Sequence, residues 1–150
     1  MAHVPVPGLR SNYEKTGGLV YIGRLLDKIR LHAAGQLPAD YHANLGIGFD
    51  ARACTFLRVA YADLTARTLA GGRDEEILAW CFERGGARTE DECLAWNSFM
   101  MKRGWRDEAA ETLQKRIKAF GLEDKPIETF FDLNEYDEGR DPVGTSAWMK

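Results

Sequence analysis

Residues 17–57, GGLVYIGRLLDKIRLHAAGQLPADYHANLGIGFDARACTFL, decide how the chain folds. Leu19, Ile22, Leu26, Ile29 and Ala33 recur at alternating steps of three and four, with Leu25 alongside. That is the period of a helix with one buried stripe. The spacing predicts a first helix beginning near Gly18, with Gly35 as its C-cap and Pro38 shortly beyond the stop. Arg30 and His32 fall on opposite borders of the stripe, where a side chain can be half buried. Val20 and Leu31 fall on the far face, so that face is expected to be covered too, by a later helix or a second subunit. The turn 35–48 is longer than the roughly 2–8 residues that usually join helices, and long ordered links are often functional. Gly46 and Gly48 then lead to Asp50, an expected N-cap for a helix bearing Ala53, Phe56 and Leu57.

The same helical grammar runs outward from this stretch. Helices are expected at about 61–70, stopped by Gly71-Gly72, and at about 74–84, stopped by Gly85-Gly86. The second opens on acids and presents Ile77, Leu78, Trp80 and Cys81 on its apolar side. Thr89-Glu90-Asp91-Glu92 is a capping box ahead of Leu94, Trp96 and Phe99. Asp107 is the expected cap of a helix striped with Ala110, Leu113, Ile117 and Phe120. Pro126 suits the first position of a short last helix carrying Ile127, Phe130 and Phe131. No stretch alternates long enough to make a convincing strand. The expected fold is all-α, a single compact domain of six or seven helices over residues 11–139. An extended N-terminal arm (1–10) precedes it, and a C-terminal tail (140–150) with Trp148 as its anchor follows. Ile22, Leu26, Ile29, Phe56, Leu78, Trp80, Leu94, Trp96, Leu113 and Ile117 are the expected core.

A chain of 150 residues has the length of one domain and can bury a core without staples. Its 45% hydrophobic and 29% charged residues place it with ordinary globular proteins. The net charge of −3 argues against general attraction to nucleic acid or anionic membrane. No apolar run approaches the roughly 20 residues of a membrane span. The opening MAHVPVPGLR lacks the basic-then-apolar order of a secretory signal. Cys54, Cys81 and Cys93 are odd in number with no C-x-x-C pair, which fits free thiols in the cytoplasm.

The chemistry-bearing residues gather around the 35–52 turn. His32, His42, Asp40 and Asp50 are metal-ligand types, but their spacing matches no helical His pair, and no metal is expected. Gly46 and Gly48 allow a ligand close to the backbone at the start of the Asp50 helix, whose free N–H groups favour an anion. Arg30, Asp40, Tyr41, His42, Asn44, Gly46, Gly48 and Arg52 are therefore the candidate ligand-binding residues. Gly46-x-Gly48-x-x-Ala51 lacks the strand and βαβ frame of a dinucleotide site and is set aside. His42 or His32, oriented by Asp50 or Asp40, is a chemically sensible acid/base pair, because imidazole titrates near neutral pH. The helices flanking Gly71-Gly72 have helix-turn-helix length, but Asp74, Glu75 and Glu76 would face phosphates with the wrong sign. Asp132-x-Asn134 fails as a calcium loop, since Tyr136 and Asp137 stand where a ligand and the required Gly belong.

Four segments carry a family resemblance: residues 9–57, DEEILAWCFERG, WNSFMMKRGWRDEA and TFFDLNEYDEGR. Together they resemble a bacterial family, domain of unknown function 5069, over about residues 9–140, with the turn Asp40–Asp50 as the most specific part. The resemblance implies a single cytoplasmic domain and no catalytic assignment. One departure is Arg73, at a helix start where Ser or Thr is expected. The expected function is a helical module without a cofactor that binds a protein partner or a small anionic ligand at Asp40–Arg52 and the adjoining helix; the oligomeric state stays open. The alternative is a small enzyme acting on an anionic metabolite, with His42 as acid/base, Asp50 orienting it, and Arg30 and Arg52 holding the anion.

Overall fold

The run from Leu19 to Ala33 divides in two in the computed structural model, which describes residues 3–150. Lys15–Thr16 (β1) and Leu19–Val20 (β2) pair antiparallel, and the helix proper, α1, spans Ile22–Ala33. Gly17 and Gly18, at φ 57° and 79°, form the two-residue turn between the strands. Hairpin turns of this kind need positive φ at both central residues, which glycine adopts without steric penalty. Tyr21, at φ 74°, is left-handed and turns the chain from strand into helix, an uncommon conformation for an aromatic residue. The expected helix start near Gly18 is corrected accordingly. Leu19 keeps helical spacing with Ile22 but reaches the core from a strand.

Six more helices follow: α2 (Phe49–Leu57), α3 (Tyr61–Leu69), α4 (Asp74–Gly85), α5 (Glu90–Lys102), α6 (Ala110–Ala119) and α7 (Phe130–Asp137). Short 3-10 segments lie at Ala39–Asn44 and Ala147–Met149. The fold is all-α apart from the two short strands. No helix among the described residues is long and apolar enough to cross a membrane.

Helix starts follow side-chain chemistry. The Thr89–Glu92 box forms as read: Thr89 Oγ1 accepts from the Glu92 N–H at 3.1 Å, and Glu92 accepts from the Thr89 N–H at 3.0 Å. At Arg73 only half of such a box exists. Glu76 accepts from the Arg73 N–H and Nε, while arginine has no acceptor to return. Three caps differ from expectation. Gly48 holds the N-cap of α2, and Asp50 lies inside the first turn. Thr129, not Pro126, opens α7 by accepting from the Asp132 N–H at 3.1 Å. Asp107 accepts from the N–H groups of Gly104 and Ala109, closing the turn before α6 rather than capping its first residue.

Helix α1 lies at the centre. Its apolar residues join Leu57, Leu64, Ile77, Met100 and Phe131 in the main core. Leu113, Ile117, Leu122, Ile127, Phe130, Leu133 and Tyr136 build a second core between α6 and α7, and Phe49 packs against both. Val6, Leu9 and Leu37 cover Leu31, so the far face of α1 is closed by the N-terminal segment and the link after α1. Helix α5 docks on the hairpin through polar groups: Asn97 accepts from the Val20 N–H and donates to the Gly18 carbonyl, and the Trp96 indole donates to the Val20 carbonyl. Those bonds satisfy the open edge of β2.

Leu94 is not core; it is 64% exposed. It stands two positions before buried Trp96, which places the two nearly opposite on a helix. The inward face of α5 is Trp96 and Met100. Phe56 and Trp80 are half-buried rather than enclosed, Phe56 stacking on Trp96 at 4.8 Å. Trp148 does not anchor the tail, being 43% exposed; buried Pro142 and partly buried Ala147 do so.

Leu26→Ala is expected to destabilise the protein by about 2–5 kcal/mol through a core cavity. Leu94→Ala is expected to change stability by no more than about 0.5 kcal/mol. Urea unfolding of both variants checks the orientation of α1 and α5 together.

Candidate functional site

Helix α1 carries Arg24, Asp27 and Lys28 in its interior, and all three are buried. Isolated buried charge is prohibitively unfavourable, so each must meet partners. Lys28 meets them beneath the organising turn. Asp50, with no exposed surface, accepts from the Tyr21 hydroxyl at 2.5 Å and from Lys28 Nζ at 2.8 Å on one oxygen. Its other oxygen accepts from the Gly46 N–H at 3.0 Å. Lys28 Nζ also donates to the Tyr21 hydroxyl at 3.1 Å. Burial pulls the Lys28 ammonium below its ordinary value, with Asp50 opposing. Burial, then Asp50, pushes the Tyr21 phenol well up, which keeps it a donor. Gly46 is held close by this clasp: at φ 75°, a Cβ would stand 2.9 Å from the Tyr61 ring.

Arg24 faces the C-terminal helix. Its guanidinium grips Glu138 with two bonds of 2.8 and 2.6 Å and donates to the Arg10 carbonyl at 3.0 Å. Tyr41 and Arg140 donate to the same carboxylate, each at 2.8 Å. Burial alone would raise the Glu138 carboxyl, but Arg24, Tyr41 and Arg140 hold it below the usual range. On the third side, Asp27 and Asp74 share Arg10 and Arg30: Arg10 Nε reaches Asp27 at 2.8 Å, and Arg10 and Arg30 reach Asp74 at 2.6 Å each. Asp74 sits low because these guanidinium groups outweigh its partial burial.

The outer side of the turn has a different character. Asp40, His42, Asn44, Ile47 and Gly48 are exposed, and Tyr41 is half-buried through its bond to Glu138. His32 and His42 come together edge to face, ring centroids 4.8 Å apart. His42 Nε2 lies 2.9 Å from the Leu37 carbonyl, which can only accept, so Nε2 carries the proton and Nδ1 is left for other contacts. Arg52, also exposed, engages α5: its guanidinium lies 5.1 Å over the exposed Phe99 ring, which Arg103 approaches at 5.6 Å.

Of the sequence candidates, the fold joins His32 to His42 and Tyr41 to the Arg24–Glu138 pair. Arg30 is engaged by carboxylates, and Asp50 orients Lys28 and Tyr21 rather than an imidazole. Among the described residues no three His, Cys, Asp or Glu side chains cluster as metal ligands do. Burial raises the Cys54 and Cys81 thiols to about 11, leaving them poor nucleophiles. Sequence reasoning missed Tyr21, Arg24, Glu135 and Glu138. The available signal was charge at helical spacing: Arg24 and Lys28 four apart, and Asp132, Glu135 and Glu138 three apart, each set on one helix face.

Two open grooves of about 740 and 510 Å³ flank Arg140 and Asp141 on the C-terminal loop. Neither is lined by the Asp40–Arg52 turn.

The Glu138 carboxyl, depressed below its ordinary 4.5, contributes stability that is complete above that pH and lost as pH falls through the lower folded value. Urea midpoints measured from neutral pH down into acid should therefore fall for the wild type. Glu138→Gln should start lower and fall less over the same window.

Residues 6–140 match the family described as Domain of unknown function (DUF5069). Among curated proteins, none matches the chain. With the match spanning most of its length, the chain belongs to the DUF5069 family.

Proposed function

We propose that the chain is a non-catalytic helical module that recognises a protein partner through the outer face of the Asp40–Arg52 turn. The observation that carries this reading is the contrast between the two sides of that turn. Beneath, Asp50 ties Gly46, Tyr21 and Lys28 into one closed clasp. Above, Asp40, His42, Asn44, Ile47 and Arg52 stand exposed on a backbone that the clasp holds still. A rigid surface loses little conformational freedom on binding, which favours affinity. The face lies outside the lining of both grooves, and its mixture of imidazole, amide, carboxylate and apolar groups suits a protein surface. Exposed Phe99 under the Arg52 guanidinium adds the aromatic and arginine types enriched at interface hot spots.

One observation favours a second reading, a small anion at the imidazole pair: His42 Nδ1 and the His32 ring are both free of hydrogen bonds to the described residues. The reading places the protein in the cytoplasm, supported by three unpaired cysteines. The acidic balance of −3 speaks against nucleic acid as the partner.

Ile47→Asp and Arg52→Glu should leave the melting temperature within about 2 °C of wild type, as exposed substitutions do. Both should abolish capture of a partner that the exposed control Leu69→Asp retains. Thermal melts with phosphate and carboxylates test the anion reading: a rise in wild type that vanishes in His42→Ala would displace the protein partner. Capture unaffected by either turn variant would refute the proposal.

A further inference from the structure

The smaller groove holds a buried carboxylate with an unused oxygen. Glu135 is 2% exposed, and its Oε1 takes every bond the side chain makes: the Asn12 N–H at 3.0 Å, Asn12 Nδ2 at 3.1 Å and Arg140 at 3.5 Å. No described donor reaches Oε2. The side-chain polar atoms that are both sealed and unpartnered among the described residues are Thr65 Oγ1 and Arg88 Nε. Oε2 is therefore not sealed, and Glu135 lines the groove of about 510 Å³. A buried carboxylate oxygen facing a cleft is an acceptor waiting for a cationic donor.

The neighbours narrow the class of donor. Glu14, Glu135 and Asp141 line the groove together with Lys15, Arg140 and Lys150. A bare amine on Oε2 would sit beside the Arg140 guanidinium, which lies 3.5 Å from the other oxygen of the same carboxylate. Like charges at that range repel strongly in a partly desolvated site. A ligand that also carries an anion removes the conflict, its ammonium on Glu135 and its carboxylate toward Arg140 and Lys15. Arg140 is pre-oriented for this, with its two terminal nitrogens held by Glu138 at 2.8 Å and by the Leu9 carbonyl at 2.7 Å. Pro142 and Ala147 supply an apolar wall for a side chain. We infer that this groove is a binding site for a free α-amino acid with an apolar side chain, separate from the partner face on the Asp40–Arg52 turn.

The test is a thermal-shift and titration series on the full chain, using apolar α-amino acids with their N-acetyl and α-amide derivatives. At about 100 times its dissociation constant, a true ligand should raise the melting temperature by roughly 5 °C or more. Both derivatives should fail, since each removes one charge. Glu135→Gln should weaken binding at least about tenfold, as loss of a charge-assisted bond does. Should that variant fold poorly, Thr145→Trp obstructs the groove from its exposed rim without touching Glu135, and it should abolish the shift. The inference is overturned if no amino acid binds the wild type, if an N-acetyl or amide form binds equally well, or if Thr145→Trp binds like wild type.

Discussion

The fold rests on the burial of a charged helix. Arg24, Asp27 and Lys28 lie on α1 at positions that the surrounding elements cover completely, and a charge left alone there would outweigh many apolar contacts. Each of the three therefore meets a group of opposite charge from another part of the chain. The N-terminal segment supplies Arg10 to Asp27, α2 supplies Asp50 to Lys28, and the end of α7 supplies Glu138 to Arg24. Apolar packing alone would tolerate several rotations of α1 in its sheath. The pairing of three charges with three separate elements selects one of them, which is the specificity role best argued for buried polar groups.

Much of this was legible in the chain, and the reasons for success and failure are physical. Capping chemistry is local, so the Thr89–Glu92 box and the glycine stops located their helices well. Burial is not local. Leu94 and Trp96 are both large and apolar, and only the docking of α5 on the hairpin decides that Trp96 turns inward. The hairpin was written in Thr16-Gly17-Gly18-Leu19, but its strands are two residues long, too short for alternation to show. Asp50 looked like a cap because caps and buried ion-pair partners use the same residue type. What distinguishes them is Lys28, one helix away.

The candidate site was half legible for the same reason. A turn rich in Asp, His and Asn announced itself, and the two imidazoles that it and α1 carry do meet. Helical charges such as Arg24 and Lys28 ordinarily lie on a solvated face, since charged residues are seldom enclosed. The acid that answers Arg24, Glu138, lies more than a hundred residues away, and no local pattern ties the two together.

That distance has a consequence for how the protein comes into being. Arg24 and Glu138 are separated by 114 positions in the chain. As the polypeptide emerges from a ribosome, α1 and its hairpin are synthesised early, while the acid that neutralises Arg24 is still unmade. Until Glu138 has been made, the Arg24 guanidinium lacks this carboxylate, and an unpaired charge opposes burial of α1. Contacts of such long span slow folding and leave apolar surface uncovered in the interval. The Arg24–Glu138 pair can therefore form only after α7 has been made.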